Sequence, residues 1–445
     1  MERIGIWAIN DWYHSNQNRQ GTPMRLKTIL NRLEKYSSFV FGDARFCDHC
    51  DETTFVEEVV VIEVSPRANS KPICSGCGKP GTCYDHLDRR LFEYVPIWIF
   101  KVFIAYTMRR VDCKRCGVTV EMVPWADGNE QITRTYKWFL AQWAKRLSWA
   151  ETAEIFRTSW KTVFRAVETA VEWGLEHRKL DNVGAIGVDE LCRKKGHVYA
   201  TLVYQIDQGC RRLLWIGKER KEESLNQFFK WFGKDRCASL KAICSDMWRP
   251  YINSIAEHAA QAIHVLDRFH IMSHISKAID EIRAGESRKL AEDGYEPVLK
   301  KTRFLLLKRP ENLTEKQETN LADLLRYNLK SVRAYLLKEL FQDFWEYKSP
   351  TWAGKFLDQW TSTVMRSRLE PMKEVAQMLR NHRELILNWF RVKGTVSNGV
   401  VEGLNGKAKV TIRKAYGFRT FRAMEIALYH ALGDLPMPDY IHRFC

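Results

Sequence analysis

The sequence predicts a multidomain α+β protein: a cysteine-bearing β module, then helices, then a mixed domain that a long helical segment interrupts. Three observations carry this. Two Cys-x-x-Cys-Gly knuckles, Cys74 to Gly78 and Cys113 to Gly117, flank β-rich runs. Between Ala185 and Asp246, three β-rich runs, a helical pattern and a further apolar run follow one another. From about Ser276 to Phe390 the pattern is almost wholly helical.

At 445 residues the chain has room for roughly three domains and a substantial core. Lys and Arg number 70 against 54 Asp and Glu, a net charge of +16, so a polyanionic partner is favoured and nucleic acid comes first. Charge alone leaves open a basic enzyme with a solvated surface. No run approaches the roughly 18 uninterrupted apolar residues of a membrane span. The nearest, Val95 to Tyr106, carries Lys101 and alternates like a strand, so no membrane partner is expected. Asn10 and Asp11 interrupt any signal-like apolar stretch between Met1 and Pro23. A cytoplasmic location is therefore expected, with residues 1–23 a poorly ordered leader. In that reducing setting the 12 cysteines point to metal before disulfides.

Residues 24–125 read as the N-terminal domain. An amphipathic helix opens at Met24, and Phe55 to Val64 alternates as a strand. In Cys74-Ser-Gly-Cys77-Gly78 and Cys113-Lys-Arg-Cys116-Gly117 a tight turn aims two thiolates at one point, and the glycine accepts φ > 0. Strands near Leu91–Pro96 and Lys101–Val111 would join the knuckles into a zinc ribbon with one structural Zn²⁺ on Cys74, Cys77, Cys113 and Cys116. Four unligated core cysteines are the alternative, but they have no reason to repeat the motif. Cys47 and Cys50 stay open between a second metal, shared with His49, Cys83 or His86, and two small hydrophobes in a loop.

Residues 126–180 switch to helices. Ser148 and Glu151 make a capping box, and after a break at Arg157-Thr158, Ser159 caps a helix that reaches His177. This is the layout of a helix-turn-helix DNA-binding domain, with Lys161 and Arg165 placed to touch DNA from the second helix. Two ordinarily packed helices would read the same.

Residues 181–275 carry runs that end in acids: Ala185 to Asp189, Lys241 to Asp246, and a strand closed by Asp267-Arg-Phe-His270. Strand, strand, strand, helix, strand, helix, strand is the order of an RNase H-like domain. Residues 276–390 read as a helical insertion, capped at Thr314 and Gln317, whose Trp345, Trp352, Trp360 and Trp389 suit a core better than base stacking. The second part of the RNase H-like domain, residues 391–445, holds Glu402 at the head of a helical segment. Leu404, Ala408, Ile412 and Ala415 share one stripe of it; Glu402, Asn405, Lys409, Arg413 and Tyr416 share another. Between Gly403 and Arg422 there are six basic residues, Lys407, Lys409 and Arg413 among them, and no acid, as suits a DNA-facing surface.

An acid at the end of a buried strand needs a cation, a hydrogen-bond cage or a proton. Phosphodiester cleavage puts charge on the attacking oxygen, the phosphate and the leaving oxygen, and paired Mg²⁺ (or Mn²⁺) ions relieve it from hard, anionic ligands. Asp189, Asp246 and Glu402 are the candidates. Each taken alone reads equally as a solvated or ion-paired carboxylate.

The chain resembles bacterial insertion-sequence transposases of the group called ISL-three. The resemblance rests on Cys74-Ser-Gly-Cys77, Cys113-Lys-Arg-Cys116, Ile186-Gly-Val-Asp-Glu190, Cys244-Ser-Asp-Met-Trp248, Leu266-Asp-Arg-Phe-His270 and Val401-Glu-Gly-Leu-Asn405, and covers nearly everything from Met24 onward. It implies a zinc ribbon, a helix-turn-helix and a DDE catalytic domain interrupted by a helical insertion, with Asp189, Asp246 and Glu402 as the triad. The implied activity is transposition: binding of terminal inverted repeats in double-stranded DNA, metal-dependent strand cleavage, and strand transfer to target DNA. A homo-oligomer on DNA, at the nucleoid, is expected with it. Asp267 and His270 match a motif of the group, and three roles stay open for them: orienting the metal site, touching DNA, or capping a buried strand end. The alternatives are a non-catalytic zinc-containing DNA-binding regulator on the same scaffold and a nuclease without strand transfer.

Overall fold

The computed structural model describes residues 25–50, 53–194, 198–392 and 398–439. The leader lies outside them, and so do the side chains of His49 and Cys50. The chain divides into two compact units, Met1–Trp173 with Met437–Cys445, and Gly174–Pro436. No helix among the described residues is long and apolar enough to cross a membrane.

The first unit is built on a five-stranded sheet of β1 (Phe39–Cys50), β2 (Thr53–Pro66), β3 (Thr82–Ile97), β4 (Phe100–Cys113) and β5 (Gly117–Val120). The order is β1-β2-β4-β3, with β5 on β4. Strands β3 and β4 are longer than Leu91–Pro96 and Lys101–Val111. For β4 the difference is one or two residues at each end, whereas in β3 register shifts near Cys83, His86 and Arg89 break the alternation by which a strand is recognised, so its outer half does not read as strand. The core gathers Phe39, Phe92 and Tyr106 around Trp125, with Leu30 of helix α1 (Leu26–Leu33). The buried Glu121 carboxylate accepts from Tyr106 Oη at 2.5 Å and from Arg109 Nε and Nη2 at 3.0 and 2.8 Å, so no charge is left bare.

Three helices follow the sheet: α2 (Arg134–Trp143), α3 (Trp149–Ile155) and α4 (Trp160–His177). The expected caps form. Ser148 Oγ accepts from Glu151 N at 3.2 Å while Glu151 Oε2 accepts from Ser148 N at 2.7 Å, and Ser159 Oγ accepts from Thr162 N at 3.1 Å. The turn between α3 and α4 puts Arg157 in the left-handed region, φ 49°.

The second unit begins with β6 (Ala185–Lys194), β7 (Val198–Asp207) and β8 (Cys210–Gly217), then α5 (Glu222–Phe232), α6 (Lys234–Ser239), β9 (Ala242–Ser245), α7 (Arg249–His258) and β10 (Ile263–Leu266). The sheet order is β10-β9-β6-β7-β8, with β6, β7 and β8 antiparallel and β9 and β10 parallel to β6. The chain then leaves the sheet for α8 (Arg268–Glu292), α9 (Arg303–Leu307), α10 (Glu315–Leu324), α11 (Lys330–Gln342), α12 (Pro350–Met365), α13 (Glu370–Asn381) and α14 (Arg383–Arg391). It returns with α15 (Asn398–Lys414) and α16 (Phe421–Leu432).

No break falls at residue 276. Helix α8 starts directly behind β10, because Asp267 Oδ1 accepts from Phe269 N at 2.8 Å and so ends the strand and caps the helix at once. In the helical stretch Trp345 and Trp360 are buried and Trp389 packs against the same core, whereas Trp352 is 60% exposed beneath the Lys355 ammonium. Sheet alternation sorts β6 by face. Ile186 and Val188 meet Leu225, Phe228 and Phe232 of α5 and Tyr251 of α7. Gly187 and Asp189 take the other face, where Val401 of α15 packs on Gly187.

Candidate active site and metal centre

The four knuckle cysteines converge. One sulfur from each of Cys74, Cys77, Cys113 and Cys116 lies within 4.8 Å of the others. The turns do this locally: Gly78 N–H donates to Cys74 O at 2.9 Å, and Gly78 and Gly117 take φ of 69° and 74°. Pairing of Thr82 with Asp112 and of Cys113 with Gly117 brings the two turns side by side. A Cβ on Gly76 would lie 3.2 Å from Cys116 Sγ, so the loop between the first two cysteines closes tightly over the cluster. A zinc ion with Zn–S of about 2.3 Å needs sulfurs about 3.8 Å apart. Cys77 and Cys113 Sγ stand at 3.6 Å, so the cluster fits that ion. The Thr119 hydroxyl beside Cys74 holds its thiol low, about 6, while the Cys77, Cys74 and Cys113 neighbours and burial push Cys116 up to about 12. Four thiols alone do not gather several negative charges; a cation lets them.

The second cluster is built from acids on adjacent strands. Gly187 pairs with Cys244 and Ser245 with Leu266. Two residues beyond the first pair and one beyond the second, Asp189, Asp246 and Asp267 come level across β6, β9 and β10. Burial raises Asp189 to about 6, and the charges of Asp267 and Asp246 add to it, against the Glu190 N–H and His270. Burial likewise raises Asp246, opposed by the Trp248 N–H, His270 and Arg220. His270 Nδ1 stands 3.2 Å from Asp267 Oδ2, and that hydrogen bond lifts the imidazole to about 8 despite its desolvation. Clustered carboxylates pushed upward, with a protonated imidazole among them, form a site short of positive charge. Carboxylate oxygens are the donor type a hard divalent cation takes, but among the described residues only the four cysteines bring three or more ligand atoms within 4.8 Å of one another.

Alternation turns Glu190 to the opposite face from Asp189. There it pairs with Arg220, whose Nη2 also reaches Asp246 Oδ2 at 3.6 Å while its guanidinium lies over the rings of Trp248 and Tyr199, 4.6 and 5.7 Å from their centroids. Burial and the Asp246 charge raise Glu190 to about 7, with Arg220 opposing. Neither Glu190 nor Arg220 was singled out from the sequence; Glu190 stands inside the quoted motif, but Arg220 carries no signal beyond being basic ahead of a helix.

On α15 the apolar stripe holds at Leu404 and Ala408, which are buried, and fades at Ile412 and Ala415. The polar stripe divides. Glu402, Lys407, Lys409 and Arg413 are exposed, whereas Asn405 is 4% exposed and donates from Nδ2 to Asp189 Oδ2 at 2.5 Å. Asn405 therefore belongs to the acid cluster, and Glu402, one helical turn earlier, keeps its carboxylate open to solvent. In the first unit Lys161 and Arg165 are both exposed, one turn apart at the start of α4, across from buried Val163 and Val167.

Comparison with known proteins gives the family. A family model described as a transposase, of the ISL3 kind, matches residues 186–428. Over 350 residues the chain is 27% identical to the transposase for insertion sequence element IS1001 of Bordetella parapertussis, covering 78% of this chain and 85% of that protein. Over 404 residues it is 29% identical to the transposase for insertion sequence element IS1557 of Mycobacterium tuberculosis, covering 85% and 89%. The family match runs from β6 into α16 and so takes in every residue of the acid cluster: the chain belongs to the ISL3 family of insertion-sequence transposases.

Proposed function

We propose that the protein transposes an insertion sequence by binding the terminal inverted repeats of double-stranded DNA and catalysing strand cleavage and strand transfer at Asp189, Asp246 and Glu402. The observation that carries this is the level placement of Asp189 and Asp246 on neighbouring parallel strands, both held above the ordinary carboxylate range by burial. With Glu402 they would hold Mg²⁺ or Mn²⁺, which when bound activates the attacking oxygen and offsets charge on the phosphate. The chain's own part is to orient these ligands and to keep a cationic surface beside them. Lys407, Lys409 and Arg413, exposed on the helix that carries Glu402, would grip the phosphate backbone.

The domain reading that goes with this is a zinc ribbon at 24–125, a helix-turn-helix at 126–180, and an RNase H-like domain, 181–275 and 391–445, around a helical insertion at 276–390. Its support is the strand order β10-β9-β6-β7-β8, antiparallel from β6 through β8 and parallel from β6 through β10, the four-cysteine cluster, and the capped pair α3 and α4. Lys161 and Arg165 would read the end sequence, Zn²⁺ would hold the ribbon, and a homo-oligomer would bring two ends together. Asp267 and His270 would orient the acid site.

The test is cleavage of DNA carrying the element's ends by the full-length protein, with Mg²⁺ or with chelator, followed by a search for joined products. Metal-dependent nicking that Asp189→Asn and Glu402→Gln abolish is expected, with joined DNA among the products. Alanine at Lys161 and Arg165 should remove the preference for end sequence over unrelated DNA. Binding without cleavage in either metal would leave the regulator in its place, and cleavage without joining would leave the nuclease.

A further inference from the structure

Asp189 and Glu402 are separated by more than two hundred residues, and two of the contacts between their elements are especially close. The first is steric. Val401 of α15 presses so closely on Gly187 of β6 that a Cβ there would fall 2.3 Å from Val401 Cγ2. Only glycine lets the helix lie this near the strand.

The second point is polar. Asn405 Nδ2 donates to Asp189 Oδ2 at 2.5 Å and to Glu190 O at 3.1 Å, while its Oδ1 accepts from Tyr204 Oη at 3.2 Å. Asp189 Oδ1 in turn accepts from Glu190 N at 2.7 Å. Each carboxylate oxygen of Asp189 thus has one fixed donor and keeps a further lone pair. Tyr204 is fully buried, so its hydroxyl cannot exchange Asn405 for water, and the amide is held with its NH₂ facing the acid.

From this geometry we infer that Asn405 is a positioning residue: it orients the Asp189 carboxylate for a divalent cation and sets the register of α15, so that Glu402, three residues earlier, is delivered to the same side. Residues three apart on a helix are neighbours, with Cβ atoms roughly 5–6 Å apart. With α15 tied at mid-length by Asn405, a rotation of the helix would also shift Glu402 relative to Asp189. The inference rests on the acid cluster being the metal site, and adds a residue that touches neither metal nor DNA. An asparagine serves where an acid or a lysine would not. It donates to one carboxylate, accepts from a phenol, and adds no charge to a cluster already crowded with negative ones.

The experiment is Mn²⁺ binding to the full-length, DNA-free protein, followed by electron paramagnetic resonance, with thermal melting alongside. Asp189→Asn should lose the acid-site Mn²⁺. Asn405→Ala and the near-isosteric Asn405→Leu should weaken it about 10- to 100-fold, the range found when a partner orienting a metal ligand is removed. Tyr204→Phe, which deletes only the hydroxyl that fixes the amide, should weaken it in the same direction by less. If the Asn405 variants melt lower yet bind Mn²⁺ as the wild type does, Asn405 is packing and the inference is wrong. Should they fail to fold, Tyr204→Phe decides: unchanged Mn²⁺ affinity overturns the inference, and reduced affinity supports it. Loss of binding in Asp189→Asn with none in the Asn405 variants removes this inference alone. Wild-type binding that Asp189→Asn leaves intact removes the metal-site reading, and the inference falls with it.

Discussion

The cysteine cluster and the acid cluster solve opposite assembly problems. The four thiols sit on two turns that are side by side because β3, β4 and β5 are hydrogen-bonded neighbours, so local backbone geometry alone brings the sulfurs within 4.8 Å. The acids come from strand ends and helix starts spread from residue 189 to residue 267, and Asn405 joins them across 216 residues of sequence. One cluster costs almost nothing to gather once the sheet exists. The other keeps carboxylates above their ordinary pKa, and Arg220 and His270 offset only part of that. A cluster whose partners are neighbours in sequence forms from local turns; one whose acids and amide are far apart in sequence is assembled from distant parts and left short of cations.

The largest expected effect separates the two clusters by function. Asp189→Asn should abolish metal-dependent cleavage, a loss of several kcal/mol of transition-state stabilisation and so about a thousandfold or more in rate, while zinc content by elemental analysis stays at the wild-type level. Cys113→Ser should do the converse: zinc falls from about one per chain to none, the β4–β5 end of the sheet loses protection in hydrogen exchange, and Mn²⁺ at the acid cluster persists. If acid-site Mn²⁺ vanished along with the zinc, the two clusters would not be the separate devices described here.

Proton linkage sharpens the contrast next. In the metal-free protein Asp189 and Glu190 stand at about 6 and about 7 against ordinary values of 3.8 and 4.5, and His270 at about 8 against 6.5. All three folded values are raised, so their stabilising contribution is full below the unfolded value and is lost as pH rises through the folded one. Asp189→Asn should therefore melt above wild type at pH 8, by on the order of 2 kcal/mol, with the gap closing toward pH 4. Added Mn²⁺ should raise the wild-type melt most at the alkaline end. A gap that did not narrow with acid would contradict the burial assigned to Asp189. The last effect is steric: Gly187→Ala must push Val401 away and should cost about 1–2 kcal/mol, read as a lower denaturation midpoint.

What could be read from the sequence divides along the same line. The Cys-x-x-Cys-Gly turns and the Ser148–Glu151 box are legible because every partner lies within a few residues. The sorting of Asp189 and Glu190 to opposite faces follows from strand alternation, but its consequence does not, since Arg220 announces nothing about the acids it will meet. Asn405 could be placed on the polar stripe of its helix, yet the buried position of that one member depends on β6 and β7 beneath it. The outer half of β3 escaped for a different reason: shifted register scrambles the alternation itself.

Helix α8 has 25 residues, a rod of roughly 37 Å, and its first hydrogen bond is made by the side chain of Asp267. The tip of that rod is embedded among the acids, while its remaining length is packed into the helical stretch beyond the sheet. Sliding or twisting the far end would tug Asp267 and His270 directly, without any loop to absorb the slack. One unbroken helix thus connects the helical stretch to the acid cluster.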